Sequence, residues 1–361
     1  MTPKTTAKRL MLNLGGVLGL VYISLCVFVA LFAYMLAEDG SKNANQMHLS
    51  IHSQPPGFEV QMLHIPSSKT PVSVWKKWLY GDPNPGIEHP IASYQIEAAG
   101  VLIEHFNFES PGQQSLISYE VFPNHDPEIV EANHIYTKKF ILGTDLFGRD
   151  ILSRLLVGTR ISLSIGLIAV LISLVVGVFL GSLGGYFGGI LDRLIMWLIN
   201  VTWSIPTLLL VIAISVALGK GFWQVFIAVG LTMWVEVARI VRGQVISLKN
   251  RQFVTAARVL GFSSLRIIGK HILPNAFGPM VVITAANFAA AILIESGLSF
   301  LGIGAQPPVP TWGTMIKDHY PFLLTGKPFM ALAPGVAIML LVSSFMMVGN
   351  ALRDVFDPQL K

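Results

Sequence analysis

The sequence predicts an all-α membrane protein with six transmembrane helices and a small β-rich domain inserted after the first of them. Of its 361 residues, 53% are hydrophobic and only 12% are charged, which is far too apolar for a soluble domain. Long apolar runs recur along the chain, and the polar stretch 38–140 interrupts them. These two observations exclude a soluble enzyme. The formal net charge of +5 is explained by basic residues beside the spans, and no nucleic-acid-binding module is visible.

The first apolar run, Leu10–Ala37, follows the basic residues Lys4, Lys8 and Arg9. Its 28 residues exceed the roughly 20 that a helix needs to cross a bilayer. A cleaved signal peptide is the alternative, but its apolar region usually has only about 7–15 residues. We therefore expect an uncleaved first span at 10–37, preceded by a cytoplasmic tail at 1–9.

The stretch 38–140 is polar and contains ten prolines. Within it, Ser93–Phe108 alternates loosely between apolar and polar residues and is rich in strand formers. This pattern favours a small β-rich extracytoplasmic domain over a disordered linker. Seven of the nine histidines also lie here, and His48 and His52 have a spacing that could share a metal on a helix. Without a third ligand of clear spacing, solvated loop histidines are the preferred interpretation and no metal site is expected.

The remaining apolar runs predict five further spans. Pro206 is expected to kink the third span, the glycine-rich stretch Gly184–Gly189 to end the second, and Asp192 with Arg193 to mark a cytoplasmic turn. A total of six spans places both termini in the cytoplasm. The five runs are Ile161–Leu191, Leu194–Leu218, the segment after Gly221, Phe277–Leu298 and Phe329–Gly349.

Between spans four and five lies the polar segment 251–275, which reads as two short helices. Gln252–Leu260 contains good helix formers, and Gly261 stands where a helix end needs a residue with positive φ. A second helix is expected from Ser263 or Ser264 to Ile272, with Pro274 ending it. Four flanking basic residues indicate the cytoplasmic side: Arg251, Arg258, Arg266 and Lys270.

This segment resembles the EAA loop of ABC importer permeases. The resemblance is carried by Ala256, Ala257, Gly261 and the run Ile272–Pro274, whereas Thr255 stands where the family has its glutamate. Further motifs are similar to those of C-type permeases from the dipeptide, oligopeptide and nickel importer family, so that the resemblance covers residues 141–361. They are Gly143–Asp145, Gly148–Asp150, Ser153–Arg154, Gly158–Ser162, Glu295–Gly302, Gln306–Pro308, Trp312–Gly313 and Leu352–Pro358. The segment 141–163 is expected to lie as a polar and apolar surface at the outer membrane interface.

The resemblance implies a type I ABC importer permease fold in 141–361, in the inner membrane of a bacterium. The implied partners are a second homologous permease, two ABC ATPase subunits and an extracytoplasmic peptide-binding protein. No lysine is set in an ATP-binding glycine-rich loop, so the chain is expected to be non-catalytic and to hold no cofactor, with ATP and Mg²⁺ in the partner ATPases. The residues expected to couple to the ATPase are Thr255, Ala256, Ala257, Leu260, Gly261, Phe262, Leu265 and Pro274. The alternative for this loop is an amphipathic turn lying on anionic lipid.

Two carboxylates fall inside apolar spans, where a charge is costly and often faces a polar cavity. Glu295, with Asn287 eight residues earlier, is a candidate for the translocation path or outer gate. The alternative is that Glu295 bonds to the glycine-rich backbone that follows it. Glu236 is expected to pair with Arg239 or Arg242 one turn away.

These expectations favour an ATP-driven importer that takes di- or oligopeptides from a binding protein. Nickel chelates and modified peptides remain alternative cargoes. An ion-gradient-driven secondary transporter is a second hypothesis, although no internal repeat is evident. A membrane-anchored sensor would explain the insertion but not the loop at 251–275.

Overall fold

The computed structural model describes residues 12–70, 72–108, 112–123, 125–219 and 222–356. The predicted cytoplasmic tail at 1–9 and the last two residues of the Leu352–Pro358 motif lie outside these ranges. The described residues form two compact units. The membrane unit comprises the residues up to Val27, Ser162–Gln306 and those from Ala337 onward, and the insertion unit comprises Phe28–Ile161 and Pro307–Val336.

Long helices make up most of the described chain. In chain order the α-helices are α1 (Leu14–Leu36), α2 (Val74–Tyr80), α3 (Pro127–His134), α4 (Ile151–Phe187), α5 (Gly189–Ser204), α6 (Thr207–Leu218), α7 (Phe222–Leu248), α8 (Gln252–Val259), α9 (Ser264–Ile267), α10 (Phe277–Phe300), α11 (Trp312–His319) and α12 (Phe329–Phe356).

Five helical stretches in the described residues are long and apolar enough to cross a membrane: α1, α4, the part of α7 from Trp223, Ser264–Phe300 and α12. Helices α5 and α6 meet at 95° and make a sixth span if the pair is counted as one. The sequence predicts a kink in the third span at Pro206, but the chain instead breaks there into two separate helices. Pro206 lacks a backbone N–H and precedes the first residue of α6, so it begins a new helix.

Helix α4 ends at Phe187, inside the glycine-rich stretch Gly184–Gly189 that was predicted to end the second span. It begins ten residues before the expected Ile161 and runs through Gly184 and Gly185. A Cβ atom on Gly185 would lie 2.9 Å from the carbonyl oxygen of Arg242, so this glycine allows α4 and α7 to pack closely. Asp192 does not mark a turn, because it lies in α5 and makes two hydrogen bonds to Arg242, at 2.6 and 2.7 Å.

The insertion unit contains a five-stranded antiparallel sheet in the order β4-β3-β2-β1-β5. The predicted strand region Ser93–Phe108 holds the end of β2 and all of β3. One side of the sheet packs into an apolar core with Phe122 and with Val130 of α3. The strands are β1 (Phe58–Ile65), β2 (Ile87–Glu97), β3 (Gly100–His105), β4 (Gln114–Ser118) and β5 (Ile135–Phe140).

The segment before α4 contains a buried ion network that the sequence did not indicate, and its position at the outer membrane interface stays a prediction. The carboxylate of Asp145 is fully buried and accepts hydrogen bonds from the backbone of Phe147 and from Nε of Arg149, the latter at 2.7 Å. Nε of Arg154 lies 3.7 Å and Nε2 of His319 3.9 Å from the same carboxylate. The hydropathy of the sequence does not reveal this network, because a charged residue that is buried in an ion pair has the same hydropathy as one exposed to water.

The network also holds the residues that follow α1. Nη1 of Arg149 donates to Oδ1 of Asn45 at 3.0 Å, and the hydroxyl of Thr144 donates to the carbonyl of Ile51 at 2.6 Å. The backbone N–H of Asp39 donates to the hydroxyl of Ser153 at 3.0 Å. The insertion therefore starts and ends against one polar core, which fixes the sheet to the beginning of α4.

The sequence predicts that His48 is a solvated loop histidine, and this prediction is wrong. His48 is buried, and its Nε2 lies 3.4 Å from the carboxylate of Glu88, which also accepts hydrogen bonds from Tyr136 and Lys138. Burial alone would raise the pKa of Glu88, but the hydrogen bond from His48 and the charge of Lys138 outweigh it and hold that pKa at about 2. No group of three or more metal-ligating side chains occurs in the described part of the chain.

We expect Asp145→Asn to destabilise the folded protein strongly. The substitution keeps the shape of the side chain but leaves the buried guanidinium groups of Arg149 and Arg154 uncompensated, and breaking a buried ion pair in this way costs about 3–5 kcal/mol. The measurement is the thermal unfolding of the purified transporter. Lys139→Gln is the control, because it removes the exposed pair with Glu59 and should leave the transition unchanged. Equal unfolding temperatures for the two variants would contradict the structural role of Asp145.

Candidate functional site

The polar segment 251–275, here called the coupling loop, is held firmly against the end of α7. Val254 and Ala257 of α8 are buried together with Ile267 and Ile272 from the second half of the loop. Their neighbours in the same core are valines spaced four residues apart on α7: Val237, Val241 and Val245. The loop is thus a continuation of the membrane unit's core, not a mobile connection.

Helix α8 ends at the residue that the sequence indicated. Gly261 has φ +78°, which confirms the predicted positive φ. Its N–H donates to the carbonyl of Arg258 at 3.0 Å, and the N–H of Phe262 donates to the carbonyl of Ala257 at 3.1 Å. This pair of bonds is a Schellman motif, which satisfies carbonyls that the end of a helix leaves open. The motif turns the chain sharply between the two halves of the loop.

The turn exposes an apolar tip. Val259 is 83% exposed and Leu260 is 72% exposed, directly before Gly261. No atom lies within 4 Å of the position that a Cβ of Gly261 would occupy. Thr255 and Ala256 are exposed on the same helix. The sequence identified Leu260 but missed Val259, because a valine at a helix end carries no signal of its own exposure.

Three of the expected coupling residues have other surroundings. Ala257 is buried inside the membrane unit and provides close packing within the chain, not toward a partner. Phe262 is half-buried, with its ring 5.7 Å from the ring of His271 and 4.9 Å from the guanidinium of Arg266. Leu265 is exposed but lines an apolar groove of about 420 Å³ with Val175 and Phe179 of α4.

Pro274 is exposed and does not end a helix, contrary to expectation. Helix α9 passes without interruption into a π-helical turn, Ile268–Ile272, then a 3₁₀ turn, Leu273–Ala276, and then α10. Pro274 lies in the first turn of the 3₁₀ segment, where its missing N–H costs little. The wider π turn before it changes the hydrogen-bond register, so the helical path continues past the proline.

The two candidates for the translocation path are both buried within α10. Oε1 of Glu295 accepts a hydrogen bond from the hydroxyl of Ser299, one turn later, at 2.7 Å. The amide oxygen and nitrogen of Asn287 are buried and have no hydrogen-bond partner among the described residues.

The predicted ion pair of Glu236 with Arg239 or Arg242 does not form. Arg242 is bound to Asp192, and the guanidinium of Arg239 lies 3.6 Å from the ring centre of Trp203. Glu236 is exposed and lines a cavity of about 180 Å³ at the break between α5 and α6. Three threonines, Thr202, Thr207 and Thr232, line the same cavity.

Residues 155–361 match the model of the family described as binding-protein-dependent transport system inner membrane component. The match covers more than half of the chain and includes the coupling loop. The chain belongs to this family. The resemblance to ABC importer permeases, first inferred from Ala256, Gly261 and the run Ile272–Pro274, is thereby confirmed, and the protein is a multi-pass membrane component of a transport system.

Several relatives share this part of the permease. The oligopeptide transport system permease protein OppC of Bacillus subtilis is 41% identical over 233 residues, which are 64% of this chain and 76% of that protein. The dipeptide transport system permease protein DppC of the same species is 42% identical over 61% of this chain and 68% of its own length. The glutathione transport system permease protein GsiD of Shigella flexneri is 45% identical, over 61% of this chain and 72% of that protein.

Among solved structures, an inward-facing form of the MetNI methionine ABC transporter aligns with 56% of this chain and 96% of the matched chain. The sequence identity is 19% and the TM-score 0.46. The insertion sheet ends at Phe140, before the first residue matched by the family model. The family model therefore covers the chain from Leu155 in α4 onward, and the sheet and helices α1, α2 and α3 lie outside it.

Proposed function

We propose that the chain is the permease subunit of an ATP-driven importer for di- or oligopeptides delivered by an extracytoplasmic binding protein. Its family and the names of its relatives, which include oligopeptide, dipeptide and glutathione permeases, support this cargo class. The geometric observation that carries the proposal is the exposed pair Val259 and Leu260 on a rigid, polar loop. A permease with this surface needs a separate protein that covers it and supplies the energy of ATP.

The tip has the properties of an interface anchor. The side chains of the tip are exposed to water in the isolated subunit, but they are held on a fixed helix. Such side chains lose little conformational entropy when they enter a partner's groove. Arg258, beside Val259, adds a positive charge at the rim of that surface. The open space at Gly261 lets a partner's backbone approach closely. ATP hydrolysis in two such partners would pull on α7 and α10, because the loop is packed into the core of the membrane unit.

The remaining arrangement follows from this placement of the loop. With the loop in the cytoplasm and six spans in total, both termini are cytoplasmic and the insertion unit's sheet is extracytoplasmic. The sheet then lies on the side where a binding protein delivers cargo. A second homologous permease completes the pathway, and the complex belongs in the inner membrane of a bacterium. Asn287 and Glu295 keep their role as candidate pathway residues, reached only when α10 moves against its neighbours.

Glu236 is a further pathway candidate, because it brings a carboxylate and three hydroxyl groups to a break between two helices. Discontinuous helices in transporters commonly mark substrate sites, since they free polar groups within the membrane. The cavity is too small for a whole peptide. Its chemistry suits the positively charged amino group of a peptide passing by, which the carboxylate would bind through a charge-assisted hydrogen bond.

We expect Leu260→Glu to abolish coupling without removing the protein from the membrane. A charge at the tip excludes the side chain from an apolar groove, and loss of one interface anchor costs on the order of 2 kcal/mol or more, so uptake should fall at least about tenfold. The measurements are peptide-stimulated ATP hydrolysis and peptide uptake by the reconstituted complex. The control is Leu324→Glu, which makes the same change at a leucine 94% exposed in the insertion unit. Full coupling in the Leu260 variant, or equal losses in both variants, would refute the assignment of the tip.

We also expect Glu236→Gln to slow uptake of peptides with a free amino group by about tenfold, because a hydrogen bond to a charged group contributes roughly 1.5–3 kcal/mol. Uptake of the same peptides carrying an acetylated amino group should not change, and Glu128→Gln, at an exposed carboxylate on α3, is the matched control. Initial uptake rates at saturating binding protein give the comparison. An equal effect on free and acetylated peptides would show that Glu236 does not contact the amino group.

A further inference from the structure

Helix α2, with the sequence VWKKWLY, is fastened to the end of α1. The N–H of Asp82, just after α2, donates to the carbonyl of Gly40 at 2.8 Å, and the N–H of Lys42 donates back to the carbonyl of Asp82 at 3.0 Å. Nη1 of Arg160 donates to the carbonyl of Trp78 at 3.2 Å. The position of α2 is therefore set by the residues that directly follow the first span.

A row of aromatic rings joins the two helices. The ring centres of Phe28 and Phe32 on α1 are 4.9 Å apart, Phe32 is 6.5 Å from Trp78, and Trp78 is 5.6 Å from Trp75. Met35 of α1 also lines one cavity of about 300 Å³ together with residues of α2. The row of aromatic rings thus runs from the first span onto α2, beside a cavity that Glu38, Lys77 and Asp82 also line.

Several large side chains of α2 are exposed. Val74 is 78% exposed, Trp75 is 71% exposed and Tyr80 is 66% exposed. Lys77 is paired with Asp82, whereas Lys76 is exposed and forms no ion pair with any described residue. Three large apolar or aromatic side chains with a free ammonium group between them are an unfavourable surface in water but match the boundary between acyl chains and phosphates.

The length of α1 sets the depth of this surface. Its 23 residues, which include non-helical backbone angles at Phe32, exceed the roughly 20 that a helix needs to cross the hydrocarbon of a bilayer. A helix fastened just beyond Leu36 therefore lies at the level of the headgroups. Trp, Tyr and Lys are the residues that accumulate at that level, because each has an apolar body and a polar end.

We propose that α2 is a membrane-interface anchor: Val74, Trp75 and Tyr80 insert among the lipids around the end of α1, and Lys76 binds lipid phosphate. The sheet of the insertion unit is joined to α2 through the short connections on either side of that helix. The anchor therefore holds the sheet next to the membrane surface at a fixed distance from the first span. The occupant of the α2 surface is the bilayer itself, and neither the partner permease nor the binding protein is needed to cover it.

The test places a genetically encoded fluorescent amino acid at Val74 in the complete transporter, reconstituted in vesicles containing anionic lipid. The matched control carries the same group at Leu116 on edge strand β4, which is also exposed. Lipids spin-labelled at the headgroup or near the top of the acyl chain should quench the probe at 74 at least threefold more than the probe at 116. Water-soluble iodide should show the opposite order.

A second variant keeps the test independent of the probe. Trp75→Ser should lower lipid quenching at 74 at least twofold, whereas Tyr94→Ser, on the sheet, should leave it unchanged. Equal lipid quenching at 74 and 116 would overturn the proposal, since it would place α2 in water. Protection of the probe at 74 from both lipid labels and iodide would also overturn it, because a protein partner would then cover the surface.

Discussion

The bilayer core offers no water to unpaired backbone groups, and this constraint determines where the protein can interrupt a helix. The spanning helices α1, α4, α7, α10 and α12 satisfy their own backbones and need only apolar side chains. Each interruption in the membrane unit has a separate way of satisfying the freed groups. The Schellman motif at Gly261 closes one, and the new helix started at Pro206 closes another. The exposed tip of the coupling loop and the cavity beside Glu236 lie at these interruptions, whereas Asn287 and Glu295 are buried within the continuous helix α10.

Some residues of the coupling loop are buried and hold the loop in place, and others are exposed. Val254, Ala257 and Ile267 hold the loop in the core of the membrane unit, while Val259 and Leu260 are presented outward. The proposed coupling role requires both properties, because the exposed tip has to receive a partner and the buried residues have to pass its movement on to α7.

Much of this could be predicted from the sequence because apolar length and turn chemistry are local properties. The spans, the positive φ at Gly261 and the end of α8 near Leu260 follow from such properties. The errors concern contacts between distant residues. In the sequence, Asp145, Arg149 and Arg154 cannot be told from charges exposed to water, because only the fold brings them together. Glu236 does not form its predicted ion pair because Arg242 binds Asp192 and Arg239 packs on Trp203. The prediction that Pro274 ends a helix is wrong because a π turn before it changes the hydrogen-bond register. No residue type in the sequence indicates a π turn.

The central claim is that ATP hydrolysed by separate subunits drives transport through this chain, and uptake by sealed vesicles tests it most directly. The complete complex would be reconstituted with ATP inside the vesicles, and labelled dipeptide and the binding protein outside. The account predicts uptake that requires both ATP and the binding protein, stops with vanadate and is unaffected when ionophores remove all ion gradients. Uptake driven by an imposed proton or sodium gradient without ATP would contradict it.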